Sequence, residues 1–219
     1  MKPLSECRLY GFVDTAYLHG RRAEVVAEQL CQGGVDLIQL RAKGARLKEV
    51  RELSQAVLRI TREAKVGLVI NDYPMIAAEL GAELCHLGQE DFFGAGHNRV
   101  EQVRPQGSVV AIGLSTHRPE EAQRAVQAGA DYVAIGPVYA TATKPAATPV
   151  TLEYVRWAAA NLKLPWFAIG GITLENIDAV ISAGASRICV VSAILNANDI
   201  VARCREFKTK LERETGGKA

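Results

Sequence analysis

The sequence lacks the features that would place it in several specialised classes of protein. No apolar run approaches the roughly 20 residues that a membrane-spanning helix needs. Lys and Arg (26) nearly balance Asp and Glu (24), which argues against a broad basic surface for nucleic acid. The N-terminal segment has neither a long apolar stretch nor a small-residue cleavage site. We therefore expect no secretory signal and a cytoplasmic location.

Cysteine is scarce and scattered. The five cysteines form no CxxC pair, which is typical of reduced thiols rather than of a disulfide framework or a zinc site. Cys85 and Cys189 lie inside apolar runs, where cysteine acts as a small hydrophobe. The sequence also has no HExxH motif and no recognisable Cys–His or Ser–His–Asp set, so nothing in it supports zinc or acyl-enzyme chemistry.

Eight short runs of apolar, β-branched residues recur along the chain. Each run is nearly continuously apolar, which is typical of strands that are covered on both faces. The predicted strands begin at Leu9, Asp36, Val66, Leu84, Val109, Asp131, Pro165 and Arg187. Between most of them lie segments whose apolar residues are three and four positions apart, as in amphipathic helices. Eight such units in 219 residues average about 27 residues each, and the pattern predicts an α/β fold, a (β/α)8 TIM barrel.

An internal repeat supports this fold. Gly34, Gly81, Gly129 and Gly184 each end a predicted helix just before strands two, four, six and eight, which indicates repeated quarter-units. The alternative is that such glycines are simply common between a helix and a strand. An open doubly wound sheet has no support, because neither GxGxxG after a strand nor GxxxxGK[ST] occurs. No linker divides the chain, so we expect one catalytic domain over residues 1–219, with a short flexible tail at about 214–219.

Polar or flexible residues follow seven of the eight predicted strands. They are Gln39, Arg41 and Lys43; Asn71 and Asp72; Gln89, Glu90 and Asp91; Ser115 and His117; Thr141, Thr143 and Lys144; Gly170 and Gly171; and Val191 and Ser192. In a TIM barrel the carboxyl ends of all strands meet at one rim, where the chemistry is placed. We call the residues that directly follow a strand its exit. The sequence therefore predicts a single site built from seven strand exits.

The charges at these exits suit a phosphorylated ligand and a metal ion. Arg41, Lys43 and Lys144 match phosphate oxygens, although any one of them alone could be a solvated surface cation. Asp72 and Asp91 follow neighbouring strands, and two close carboxylates repel unless a cation lies between them. Oxygen ligands favour Mg²⁺ over zinc. The alternative for Asp72 is that it only caps the next helix.

The exits of strands seven and eight predict a second anion site. Gly170 and Gly171 precede a helix predicted to begin at Leu174, and they can present backbone N–H groups to a phosphate. Val191 and Ser192 follow at the next exit. We therefore expect two anion sites. Cationic side chains and a metal ion form the first, and backbone N–H groups form the second.

The motifs at these exits resemble a known family. QLRAK, IND, HLGQED, GLSTH, DYVAIGPVYATATKP, FAIGGI and VVSAI occur in the order found in thiamine-phosphate synthases, from strand two to strand eight. The resemblance implies a TIM barrel that joins a hydroxymethylpyrimidine diphosphate to a thiazole phosphate, with Mg²⁺, and releases diphosphate. Residues 92–106 form a longer stretch than these motifs lead us to expect.

The resemblance also implies a role for each matching residue. Pyrimidine diphosphate would contact Gln39, Leu40, Arg41, Ala42, Lys43, Asn71, Ser115 and Lys144, of which Arg41, Lys43, Ser115 and Lys144 would be catalytic. Thiazole phosphate would contact Thr141, Ala142, Thr143, Gly171, Val191 and Ser192, and Mg²⁺ would bind Asp72 and Asp91. The aminopyrimidine would push electrons toward its methylene carbon as the bond to diphosphate breaks, and the thiazole nitrogen would capture that carbon without a protein nucleophile.

Three other functions stay open at this point. A thiazole tautomerase of the same barrel group would not need the paired aspartates, and a non-catalytic phosphate-ligand binder would need no metal at all. A phosphosugar isomerase or aldolase would need an acid–base pair or a Schiff-base Lys within the barrel. The expected partners are small phosphorylated molecules rather than nucleic acid or a membrane, and a homo-oligomer is compatible with the sequence.

Overall fold

Eight parallel strands close into a barrel in a computed structural model that describes residues 1–141 and 148–213, the last of these by its backbone alone. Each strand pairs with the next along the chain, and β8 returns to pair with β1. The strands are β1 (Leu9–Asp14), β2 (Leu37–Arg41), β3 (Gly67–Asn71), β4 (Leu84–Leu87), β5 (Ala111–Thr116), β6 (Tyr132–Ile135), β7 (Trp166–Ile169) and β8 (Ile188–Cys189). The predicted TIM barrel is confirmed.

Helices surround this barrel. The described part of the chain contains α1 (Ala23–Gln32), α2 (Leu47–Glu63), α3 (Pro74–Leu80), α4 (Pro119–Gln127), α5 (Thr151–Asn161), α6 (Ile177–Ser182), α7 (Ser192–Leu195) and α8 (Ile200–Arg213). None of these helices combines the length and the apolarity needed to span a membrane. The expected tail at 214–219 lies outside the described residues.

The fourth unit departs from the expected βα pattern. Between β4 and β5 the chain forms a π-helical turn (Glu90–Gly94) and a 3-10 turn (Val100–Gln102) instead of an α-helix. Glycines at positions 94 and 96 weaken helix formation there. The predicted fifth strand was also placed too early, because Val109 is 97% exposed and β5 runs on through Ser115 and Thr116.

The four repeated glycines have the backbone conformation that the sequence predicts. Their φ angles are +82° at Gly34, +68° at Gly81, +83° at Gly129 and +105° at Gly184. This left-handed conformation is the usual way to end a helix, and glycine adopts it without a steric penalty. Each of the four therefore turns the chain from a helix into an even-numbered strand.

The cysteines are free thiols, as predicted. Cys85 and Cys189 are buried in the core, and burial raises the pKa of each thiol well above its ordinary value. A buried, protonated thiol is unreactive. Their interpretation as small core hydrophobes is confirmed.

Aromatic rings fill the inside of the barrel. Phe167 lies edge-on to Tyr10, with ring centroids 5.4 Å apart, and edge-on to Tyr132, with centroids 5.9 Å apart. The Tyr132 ring occupies the space beside Gly113, because a Cβ atom added there would lie 2.0 Å from Tyr132 Cζ. Gly113 on β5 therefore makes room for a ring that supports the floor of the barrel mouth.

We expect Gly113→Ala to lower the free energy of unfolding by about 1–3 kcal/mol, because an extra methyl group overpacks a filled core. Urea denaturation measures the change. Gly94→Ala is the matched control, since its added Cβ would meet its nearest atom at an ordinary 3.6 Å. Equal stability of the two variants would contradict this account of the barrel interior.

Candidate active site

A cavity opens at the carboxyl ends of the strands, where the sequence predicts the site. Predicted site residues from six strand exits line it: Gln39, Arg41, Asn71, Ser115, Thr141, Gly171, Val191 and Ser192. These residues are far apart in sequence, and barrel closure brings them together. The wall between them is largely apolar, with Phe12, Ile169 and Cys189 among its members.

The other predicted residues lie in different places. Lys43, Asp72 and Asp91 form a cluster of charges that follows β2, β3 and β4. Leu40 is only 2% exposed and belongs to the hydrophobic core, as does Ala42. Ala142, Thr143 and Lys144 lie outside the described residues.

Arg41 is held by a carboxylate that the sequence analysis missed. Its Nη1 donates to Asp14 Oδ2 at 2.8 Å, and the two residues are direct partners in the β1–β2 ladder. Asp14 is 1% exposed, and its other oxygen accepts the backbone N–H of Ala16 at 3.0 Å. A buried carboxylate needs such partners. Asp14 therefore orients the guanidinium toward the cavity and neutralises its charge.

Lys43 lies between the two predicted metal ligands. Its Nζ is 2.5 Å from Asp72 Oδ2 and 3.9 Å from Asp91 Oδ2. Partial burial disfavours the charge on Lys43, but the hydrogen bond and charge of Asp72, together with Asp91, raise its pKa above the ordinary value. Both carboxylates thus converge on the position of a single cation. Asp72 has a φ of +67°, in a region that Asp tolerates better than most residues, and Tyr73 rather than Asp72 is the cap of α3.

The π-helical turn places Asp91. Phe92 in this turn is fully buried, and Phe93 lies 3.8 Å below the guanidinium carbon of Arg124 on α4. Gly88 leaves the space that Asp91 uses, since a Cβ atom at position 88 would lie 2.7 Å from Asp91 Oδ2. The irregular fourth unit therefore has a clear role, which is to bring a carboxylate back over the end of β4.

The charged cluster has the donor set that Mg²⁺ prefers. No group of three or more His, Cys, Asp or Glu side chains that could hold a metal occurs among residues 1–141 and 148–213. Two carboxylates are nevertheless enough, because Mg²⁺ is usually held by one or two of them together with waters and substrate phosphates. Asp72 and Asp91 already face one cationic group, so the residues present fit a magnesium ion.

A hydrogen-bonded network forms the floor of the cavity. Gln39 Nε2 donates to the Tyr10 hydroxyl at 2.6 Å, and His86 Nε2 lies 2.9 Å from Ser115 Oγ. The other ring nitrogen of His86 is 3.3 Å from the Tyr132 hydroxyl. Burial raises the pKa of both tyrosines well above the ordinary value, so both stay neutral. The floor therefore offers hydrogen-bond donors and acceptors, among them two neutral hydroxyls, which suit a polar heterocycle.

The opposite wall includes the glycine pair that follows β7. Gly171 lies against the β6 exit, where a Cβ atom would be 2.5 Å from the carbonyl oxygen of Ala140. Asn176 Nδ2 donates to the Gly171 carbonyl at 2.8 Å and fixes the loop. The helix predicted to begin at Leu174 begins at Ile177, because residues 174–176 form a turn in which Asn176 also accepts the N–H of Thr173.

Sequence reasoning undervalued three of the residues around this cavity. Asp14 was missed, although an acidic residue directly after a wholly apolar run was a signal of a buried charge. His86 was not among the predicted site residues and His117 was given no role, yet both line the cavity. The β4 register that pairs His86 with Asn71 depends on tertiary structure. Tyr10 belongs both to the core and to the cavity wall.

Comparison with known proteins shows the family of this chain. The sequence profile described as thiamine monophosphate synthase matches residues 9–194. The chain belongs to the thiamine monophosphate synthase family. The thiamine-phosphate synthase of Halalkalibacterium halodurans is 36% identical over 211 residues, covering 96% of this chain and 98% of that protein. A thiamine-phosphate synthase of Thermus thermophilus is 44% identical over 185 residues, covering 84% of this chain and 86% of that protein.

Solved structures give the same relationship. A structure named thiamine phosphate pyrophosphorylase from Pyrococcus furiosus superimposes with a TM-score of 0.84 at 27% identity, covering 96% of this chain and 98% of that one. A protein of the same name from Bacteroides thetaiotaomicron, at 17% identity and a TM-score of 0.68, shows a shared fold. Family members therefore share the barrel around which this site is built.

We expect Asp14 and Arg41 to be strongly coupled in a double-mutant cycle. Asp14→Asn, Arg41→Gln and the double variant should give a coupling energy of about 1.5–3 kcal/mol in urea unfolding, as for hydrogen bonds to charged groups. The exposed pair Arg51 and Glu79, which is shorter still at 2.6 Å, is the control. It should give less than about 1 kcal/mol. A coupling for the buried pair no larger than the control would contradict the role assigned to Asp14.

Proposed function

We propose that this chain is a thiamine-phosphate synthase, an alkyl transferase. It joins 4-amino-2-methyl-5-(diphosphooxymethyl)pyrimidine to 4-methyl-5-(2-phosphoethyl)thiazole and releases diphosphate. With a carboxylated form of that thiazole as the acceptor, CO2 is released as well. The observation that carries the proposal is one cavity that Arg41 lines at β2 and that Gly170, Gly171 and Ser192 line at β7 and β8. Membership of the family supports the same assignment. We place the enzyme in the cytoplasm, with small phosphorylated substrates as its partners.

The pyrimidine diphosphate would occupy the side of the cavity formed by β2, β3 and β5. Gln39, Asn71 and Ser115 offer neutral hydrogen-bonding groups to the aminopyrimidine ring. Arg41 and Lys43 would bind the diphosphate, whose negative charge grows as the bond to the methylene carbon breaks. Charges that are already oriented stabilise such a leaving group without reorganisation. Asp14 supplies that orientation for Arg41.

Asp72 and Asp91 would hold Mg²⁺. When bound, the metal supplies positive charge to the oxygens of the departing diphosphate. The position between the two carboxylates is that of the Lys43 ammonium group, so a cation is needed there in any state in which both carboxylates are ionised. Half of the Lys43 side chain is exposed, so with a metal in this position it would turn toward the diphosphate.

The thiazole phosphate would bind on the side formed by β6, β7 and β8. Thr141, Gly171, Val191 and Ser192 line that wall, and Ala142 and Thr143 follow Thr141 in the sequence. Binding both substrates in one cavity converts capture of the methylene carbon by the thiazole nitrogen into a step between neighbours. The apolar wall at Phe12 and Ile169 would limit the access of water to the cation.

A thiazole tautomerase is the second candidate. It would handle only the thiazole phosphate and would have no use for a diphosphate clamp. The synthase is favoured by the ion pair of Arg41 with Asp14 and by the convergence of Asp72 and Asp91 on one cation.

We expect the purified chain to form thiamine phosphate and free diphosphate when both substrates and Mg²⁺ are present. The assay follows both products by chromatography, with each substrate and the metal omitted in turn. Conversion of the carboxylated thiazole between its tautomers, without thiamine phosphate, would replace the synthase by the tautomerase. Absence of both reactions would leave a ligand-binding barrel.

We also expect Asp72→Asn and Asp91→Asn to lower Mg²⁺-dependent turnover by more than the roughly 10–100-fold that loss of an outer-shell metal partner causes. Circular dichroism should show an unchanged fold, because both residues lie at the rim. Titration with Mn²⁺, followed by electron paramagnetic resonance, measures metal binding directly. Asp178→Asn is the control, since that exposed carboxylate pairs with Lys210 on α8. Near-normal turnover in both rim variants would remove the metal assignment.

A further inference from the structure

The loop between β1 and α1, residues 15–22, connects the two halves of the proposed site. Its first turn begins at Asp14, whose carboxylate binds Arg41 on the diphosphate side. Its far end carries Arg21, which reaches across to the β8 exit. Strand one was the single exit from which the sequence analysis took no site residue, so nothing so far gives this loop a function.

Arg21 joins the loop to α7 with three hydrogen bonds. Its Nε donates to the carbonyl of Leu18, and its Nη2 donates to the carbonyls of Tyr17 and Leu195, each at 2.8 Å. The first two bonds fix the guanidinium on its own loop, and the third holds the last residue of α7. A second contact runs parallel to it, with His19 Nε2 2.9 Å from Asn196 Oδ1.

The helix that Arg21 holds cannot set its own orientation. α7 is a single turn of four residues, and one turn is not stable by itself. The buried side chains of Ile194 and Leu195 anchor its apolar face. Its carbonyl end is where a cation is favoured, and Arg21 provides one. At the other end of the same turn, Val191 and Ser192 line the cavity.

We propose that Arg21 is a positioning residue for the thiazole-phosphate half of the site. By holding the carbonyl of Leu195, it fixes the turn whose first residues, Val191 and Ser192, face the substrate. Arg21 does not line the cavity and acts only through α7. This inference rests on the proposed function, because it needs thiazole phosphate to bind at the β8 exit.

The test separates the two substrates by their KM values. We expect Arg21→Ala to raise the KM for thiazole phosphate about tenfold or more, the effect of losing about 1.4 kcal/mol. The KM for pyrimidine diphosphate should change less than twofold. Arg21→Lys keeps the charge but cannot make all three hydrogen bonds of the guanidinium, so it should raise the KM for thiazole phosphate by an intermediate amount. Arg22→Ala is the matched control, because Arg22 is exposed and pairs only with Glu24 among the contacts of the described residues.

A purely structural role for Arg21 would give a different result. The melting temperature would then fall while both KM values stayed the same or rose together, and either result overturns the inference. If Arg21→Ala does not fold, Arg21→Lys and His19→Ala decide the question by the same ratio of KM values. The wild-type protein is assayed first, because an inactive wild type would overturn the proposed function. If the wild type is active but Arg21→Ala leaves the ratio of the two KM values unchanged, only the role of Arg21 is overturned.

Discussion

Closure of the barrel by pairing of β8 with β1 is the constraint on which the site depends. Parallel pairing all round gives every strand the same direction, so each carboxyl end delivers its side chain to one rim. The register then decides which side chains meet, and it sets Asp14 directly beside Arg41. The interior must be filled to hold this register, and the Tyr132 ring fitted against Gly113 shows how closely it is filled.

The cations at the rim of the barrel are paired with carboxylates. Arg41 has Asp14, and Lys43 has Asp72 with Asp91 nearby. The paired carboxylate fixes the position of each cationic side chain. The cation therefore stays oriented toward the space in which a phosphorylated substrate would lie. The cost of burying Asp14 is offset by its hydrogen bonds to Arg41 and to the backbone of Ala16. The hydroxyls of Tyr10 and Tyr132 in the floor stay neutral, because burial raises the pKa of both.

The irregular connections of the barrel position residues of the site that a regular βα unit would not place there. The π-helical turn at Glu90–Gly94 folds Asp91 back over β4, and Arg124 packs on Phe93 to keep it there. The loop at residues 15–22 has no residue in the cavity, yet it contacts both sides of the site through Asp14 and Arg21. Loops on a rigid scaffold commonly carry function in this way, because they can vary without disturbing the core.

The sequence by itself determined the eight strands, the barrel, the helix-ending glycines and most of the cavity lining, because apolar periodicity and position after a strand are local properties. The predicted cluster of Arg41, Asp72 and Asp91 at one rim followed from the same rule. Only the tertiary structure decided that Asp14 pairs with Arg41, that Lys43 lies between the two aspartates, and that Arg21 reaches Leu195. These contacts join residues from different strand exits, so they depend on register and loop conformation, which no local pattern of residues encodes.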